Sequence, residues 1–350
     1  MIKFCLRTLL VITITVALAT SANAQPERST DSRRRAEDVA RVLFAPPATH
    51  ADEDRRVASE AIEAVAVGTL PSPSGAQVLR VYYNRFKVGN RSSENIRALV
   101  EQLLVPLHWT VTVELLATNG IRPLGPPMGT ATRADNKGCL VGTLGVVVTD
   151  ASNRKRYITC NHVAAVDPRS LCPNAAKAKE VSLLQYPADC DAVVPVGTLL
   201  GPPPEIKDPP VYNDVDAALV EERGEGVDAK NNCGICPNGN WISPERAEAD
   251  QTEINACGAA SGLMTGKVQR DPAEVKLTYQ PCGATAWFSG QLAVHGPFAV
   301  PGDSGAFAFD KDGAAVGLVF AGDAATVTFL NPAPTVLHAL GDVKITPCVK

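Results

Sequence analysis

From residue 139 onward the chain is written in short runs: CLVGTLGVVVTD, KRYITC, VDAALV, GKVQR, AEVKLTYQ, WFSGQLAV, GAFAFD and AAVGLVFAG. Each is a short apolar or alternating run. Turn chemistry separates them, as in Ala151-Ser152-Asn153 and Asp310-Lys311-Asp312-Gly313. Many short strands joined by turns predict a mainly β unit, a sandwich or a barrel. The low aromatic content (5%) and the 27 glycines and 27 prolines favour strands and turns over long helices.

Upstream the texture differs. Lys3 and Arg7, the apolar run Leu9 to Leu18, and Ala22-Asn23-Ala24 form the three parts of a secretory signal. Residues 1–24 are therefore expected to be removed before Gln25, leaving an exported chain, in the periplasm or the medium, with no membrane role. Residues 25–50 read as a polar lead-in that is expected to be partly disordered, and Asp52 to Val67 has helical spacing. AQVLRVYYNRF (76–86) alternates, SSENIRALVEQLL (92–104) is an amphipathic helix capped by serine, and HWTVTVELLAT (108–118) alternates again. Residues 51–121 thus form a small α/β domain, and 122–138 reads as a linker to the β unit at 139–350.

Charge and cysteine usage narrow the function. Losing Lys3 and Arg7 takes the formal charge from −4 to about −6, with no basic stripe for nucleic acid. Ten cysteines are present, and all but Cys5 follow residue 138: Cys139, Cys160, Cys172, Cys190, Cys233, Cys236, Cys257, Cys282 and Cys348. In an oxidising compartment disulfides are the expectation, and the odd number after the signal leaves at least one thiol free or paired between chains. Cys233-Gly234-Ile235-Cys236 has the spacing of a redox or zinc motif. No second ligand pair follows it, so it is read as part of a disulfide-linked loop.

One serine stands out. Val300-Pro301-Gly302-Asp303-Ser304-Gly305 puts Ser304 in a tight turn before an apolar strand. A serine nucleophile needs a base, a group to orient that base, and donors for the developing oxyanion. His162, in YITCNHVAAV, sits where a β run turns, and Asp216, in NDVDAALV, stands at the entrance to an apolar strand. Asp214 is the alternative acid. The order His162, Asp216, Ser304 is one of the known chain orders of a catalytic triad.

ITCNHVAA, VDAALV and PGDSGAFAF…GAAVGLVFAG together resemble trypsin-like (chymotrypsin-fold) serine peptidases. The closer resemblance is to a bacterial branch with an NHV histidine box, a GTLG hairpin (Gly142 to Gly145) and a small domain ahead of the peptidase. GAASGLMTGKV (258–268) matches a further segment of that branch in part. The resemblance spans about residues 139 to 341. It implies a chymotrypsin-like double β-barrel preceded by the small α/β domain, and an exported endopeptidase that acts on protein or peptide substrates without metal or cofactor. It also implies His162 as general base, Asp216 as its orienting carboxylate and Ser304 as nucleophile. The amides of Gly302 and Ser304 would form the oxyanion hole.

The resemblance further implies that Phe298 lies at the base of the primary specificity pocket. Trypsin-like enzymes carry an aspartate there, so a non-tryptic, small or apolar pocket is expected. Phe320-Ala321-Gly322 would be the strand that pairs with substrate backbone. The N-terminal domain would be either an inhibitory pro-segment or a permanent accessory. Two rival readings exist. Ser304, Asp323 and His338 follow the order of an α/β-hydrolase, but a strand rather than a helix follows the serine. A trypsin-like domain silenced as an enzyme could instead serve as a secreted binding module.

Overall fold

The computed structural model describes residues 25–46, 53–69, 77–89, 91–109, 111–123, 142–164, 197–222, 233–279 and 283–348. The expected signal segment, most of the 122–138 linker, and Cys139, Cys172, Cys190 and Cys282 lie outside them. Among the described residues no helix is long and apolar enough to cross a membrane.

The polar lead-in is a helix, α1 (Gln25–Phe44). Ala36, Val39, Ala40 and Leu43 recur at helical spacing and are fully buried. The surrounding Arg and Glu residues mask this narrow stripe in the composition. A second helix, α2 (Glu53–Ala61), passes directly into strand β1 (Ile62–Thr69). The helical spacing read to Val67 therefore ends at Ala61. β1 is buried along most of its length, so it lacks the alternation that marks a half-exposed strand.

Strand β2 (Gln77–Asn84), helix α3 (Ser93–Leu104) and strand β3 (Thr112–Thr118) lie where alternation and spacing put them. Ser92 caps α3 by accepting from the Asn95 amide at 3.3 Å. β2 and β3 pair in parallel, from Val78↔Thr112 to Asn84↔Thr118, as a helix crossover requires. After β3 comes a two-residue strand, β4 (Arg122–Pro123), in place of the start of the expected linker.

The remaining strands are β5 (Val146–Thr149), β6 (Lys155–Thr159), β7 (Gly197–Leu199), β8 (Tyr212–Asn213), β9 (Ala218–Glu222), β10 (Glu253–Gly258) and β11 (Gly262–Lys267). They continue with β12 (Ala273–Tyr279), β13 (Ala284–His295), β14 (Phe307–Phe309), β15 (Ala315–Gly322), β16 (Val327–Pro332) and β17 (Lys344–Ile345). Short helices α4 (Asn161–Ala164), α5 (Pro244–Ala249) and α6 (Ala333–Ala339) lie between them. The protein is mainly β, as its texture predicts.

Two sheets result. The smaller runs β17-β5-β6-β9-β7 and the larger β11-β10-β14-β15-β16-β13-β12-β1-β2-β3, with β4 on β15 and β8 on β13. The small α/β unit is thus joined to the rest edge to edge: β1 pairs with β12 through Ala64↔Val275, Val65↔Glu274 and Ala66↔Ala273. Ala64, Ala66, Tyr82 and Ile121 share one core with Phe288, Phe307, Phe320 and Phe329. β13 serves both halves of the large sheet, pairing with β12 up to Gln291 and with β16 from Leu292.

Candidate active site

The site lies where the two sheets meet. β6 ends at Thr159 and the chain turns through Cys160 into α4, which presents His162. Asp216 is fully buried just before β9, whereas Asp214 is exposed. The His162 amide donates to Asp216 Oδ1 at 3.0 Å, and ring Nδ1 lies 2.8 Å from Oδ2. On the far side of the ring, Nε2 lies 2.9 Å from Ser304 Oγ. With Nδ1–H given to a carboxylate, Nε2 is left to accept the serine hydroxyl. The structure therefore brings His162, Asp216 and Ser304 into one hydrogen-bonded line.

Asp216 is held by residues that sequence reasoning missed. Tyr279 Oη, at the end of β12, donates to Asp216 Oδ2 at 2.8 Å. The Asp216 amide donates to Asn331 Oδ1 at 2.9 Å. Asn331 Nδ2 in turn donates to Gln291 Oε1 at 2.6 Å. Burial alone would push the Asp216 carboxyl up; the His162 ring, the His162 amide and the Tyr279 hydroxyl outweigh it and hold it below the usual carboxylate range. Burial, then the Asp216 charge, pushes the Tyr279 hydroxyl well up, so it remains a donor.

The serine turn is fixed from two directions. Gly302 and Gly305 have φ of 108° and 95°, a region that suits glycine. A Cβ on Gly305 would collide with the Thr143 carbonyl and the Thr159 hydroxyl. Thr143, in the GTLG segment, donates its amide to Ser304 O at 2.7 Å and its hydroxyl to Gly302 O at 3.0 Å. From the other side Asp303, fully buried, accepts from the amides of Ala260 and Ser261, each at 3.0 Å, and of Val300 at 2.9 Å. With both neighbouring carbonyls tied down, the amides of Gly302 and Ser304 donate to no acceptor among the described residues.

The expected substrate residues are less open. Phe298 is buried and packs against Val294 and Gly266 within the core. Phe320 is fully buried with its ring 5.2 Å from that of Phe288, and its carbonyl oxygen lies 3.3 Å from Ser304 Oγ. Ala321 and Gly322 pair with Pro123 and Arg122 of β4. The rival set does not assemble: Asp323 caps the amides of Ala325, Thr326 and Val327, while His338 bonds Asp342 on the surface.

Cys160 is a free, buried thiol that donates to Val319 O at 3.2 Å. Burial, then the Asp216 charge, pushes it well above the ordinary thiol range, so it is a poor nucleophile. Cys160, His162 and Asp216 offer ligand atoms within 4.8 Å of one another, the one group of metal-ligand type found among the described residues. Those of His162 and Asp216 are already spent on each other and on Ser304 and Tyr279. Cys233 and Cys236 form separate disulfides, with Cys257 and Cys348, so the pair is neither a redox couple nor half a zinc site.

No family model and no curated protein matches the chain. Among solved structures it is similar to a glutamic-acid-specific serine protease that uses a histidine triad in substrate binding, with TM-score 0.40 and 16% identity over 60% of this chain and 95% of that one. Thermobifida fusca protease A gives TM-score 0.37 and 15% identity over 59% and 92%. The Cellulomonas bogoriensis chymotrypsin gives 0.36 and 18% over 63% and 97%.

Proposed function

We propose that the protein is an exported serine endopeptidase of trypsin-like architecture that cleaves protein or peptide substrates through an acyl-enzyme on Ser304. The observation that carries this reading is a single imidazole bridging a buried carboxylate at 2.8 Å and a serine hydroxyl at 2.9 Å. Ser304 Oγ attacks the scissile carbonyl carbon as its proton passes to His162 Nε2. The oxyanion is received by the amides of Gly302 and Ser304, donors of a kind whose individual loss costs about 10²–10³ in rate. His162 then gives the proton to the leaving amine nitrogen, and the C–N bond breaks. A water molecule attacks the acyl-enzyme with the same imidazole as base and frees Ser304. Asp216 stays ionised throughout, holding Nδ1–H and the imidazolium charge.

Specificity is non-tryptic in this reading. The aromatic Phe298 stands where an Arg- or Lys-binding pocket would need a carboxylate, and it offers no charge to a basic side chain. Two sheets meeting at the site suit a two-barrel architecture, and the paired disulfides suit an oxidising compartment. The test is labelling with a fluorophosphonate probe. The expected result is covalent labelling that Ser304→Ala abolishes. A folded protein that never labels, whatever the state of its N-terminal unit, would leave the binding-module reading in its place.

A further inference from the structure

The edge of β15 beside Ser304 is already occupied by the chain itself. β14 covers one side of β15 only as far as Leu318, while β16 covers the other side through to Gly322. Beyond Leu318 the uncovered side runs directly from the nucleophile: the Gly305 amide donates to Val319 O at 2.9 Å, and Ser304 Oγ reaches Phe320 O at 3.3 Å. An extended peptide with its carbonyl at Ser304 would take its main-chain bonds from this side, as a strand added to a sheet edge. β4 lies there instead, antiparallel, with Pro123 opposite Ala321 and Arg122 opposite Gly322.

This is a built contact. Ile121, just ahead of β4, is buried in the shared core beside Phe320, and its amide donates to Glu63 Oε2 at 2.7 Å. Glu63 is a buried carboxylate of β1 that also accepts from Thr118 Oγ1 at 3.0 Å and Asn84 Nδ2 at 3.1 Å. Two residues earlier, the Asn119 amide donates to Asp323 Oδ2 at 3.1 Å, next to the end of β15. One carboxylate from each side thus fixes the backbone leading into β4. Ser304 has no exposed surface (0%) in this arrangement.

We infer that Ile121–Pro123 is an intramolecular occupant of the peptide-binding edge, so that the intact chain is latent and an extended substrate must displace β4. The inference rests on the peptidase reading of Ser304. Its energetic logic is a competition: with the edge open about a tenth of the time, apparent affinity for an extended peptide falls about tenfold.

The test compares the full chain with its Arg122→Pro variant, which removes the amide of Arg122 and leaves Ile121 in the core. Three things are measured: hydrolysis of a mixed library of extended peptides, fluorophosphonate labelling, and backbone hydrogen exchange over 119–123 and 319–323. The expected result is protection of both segments in the intact chain, faster exchange in the variant, and a rise of about tenfold or more in kcat/KM. The inference is overturned if those segments exchange freely in the intact chain. It is equally overturned if the variant loses protection and still labels without hydrolysing peptides faster. If the folded, unprotected variant does not label at all, the peptidase reading falls and the latency inference with it.

Discussion

Asp303 and Ser261 are joined by a hydrogen bond of 2.6 Å from the serine hydroxyl to Asp303 Oδ2. Together with three amides it satisfies the carboxylate next to Ser304 from within the fold. Asp303 thus sets one side of the turn that carries Gly302 and Ser304, as Thr143 sets the other. Ser261→Ala is expected to lower kcat about tenfold and stability by about 1.5–3 kcal/mol, the scale of one hydrogen bond to a charged group. Asp303→Ala removes the acceptor of three amides and of the Ser261 hydroxyl and is expected to cost more on both counts. Steady-state kinetics and urea unfolding of the two variants check the order.

The Tyr279 hydroxyl takes part of the Asp216 charge that would otherwise face His162. Tyr279→Phe keeps the ring and removes the donor. It is expected to lower kcat about tenfold, with KM little changed, since the lost bond positions the base rather than the substrate. The Asp216 carboxyl, with one donor fewer, moves back up toward the usual carboxylate range. The other titratable group packed here, Cys160, is kept neutral by burial. A variant that loses activity through misfolding alone would show it as a lowered urea-unfolding midpoint.

Lys276 gives a stability prediction of definite sign. Its ammonium donates to Ser59 O and lies 5.3 Å from the centre of the Phe44 ring. Burial, then the Lys87 charge, lowers it from 10.5 to about 8. Between those values the unfolded chain binds more protons than the folded one, so stability rises with pH through that window. From pH 7.5 to 9.5 the gain is expected to be about 2 kcal/mol. Urea midpoints at the two pH values check it, and Lys276→Met should flatten the difference. A flat wild-type profile would mean that Lys276 is not desolvated as its position indicates.

Cys236 and Cys348 close a span of 112 residues and fasten the C-terminal end to the 233–240 segment. Replacing both by serine is expected to cost about 3–5 kcal/mol, the range for a long closed loop. Thermal unfolding of the double variant, set against the native disulfide form, measures it. A loss under about 1 kcal/mol would show that the end is held by β17 pairing alone.

Much of the site was legible because its residues break local patterns. His162, Asp216 and Ser304 are polar residues at the ends of apolar runs, and glycines flank the serine. Tyr279 carried no such signal, since a tyrosine in AEVKLTY reads as one more strand residue. Its role exists only through the pairing that brings β12 beside Asp216. The helix at 25–44 was hidden because charged residues dominate it, and β1 because burial on both faces removes alternation. β4 is shorter than any periodicity, and Arg-Pro followed by a Gly- and Pro-rich stretch reads as linker. The pairing of Cys233 with Cys257 and of Cys236 with Cys348 could not be read from spacing, because nine cysteines allow many connectivities.

The seam between β1 and β12 sets what can be gained or lost by cutting the chain. Strip away β1, β2 and β3, and β12 is left as a raw border of unpaired N–H and C=O groups, a template for any passing strand. The core would also lose Ala64, Ala66 and Tyr82 from its wall. A break after β4 therefore makes a nick rather than a departure: two polypeptides stitched into one fabric, the amino-terminal piece staying as a subunit of what it once preceded.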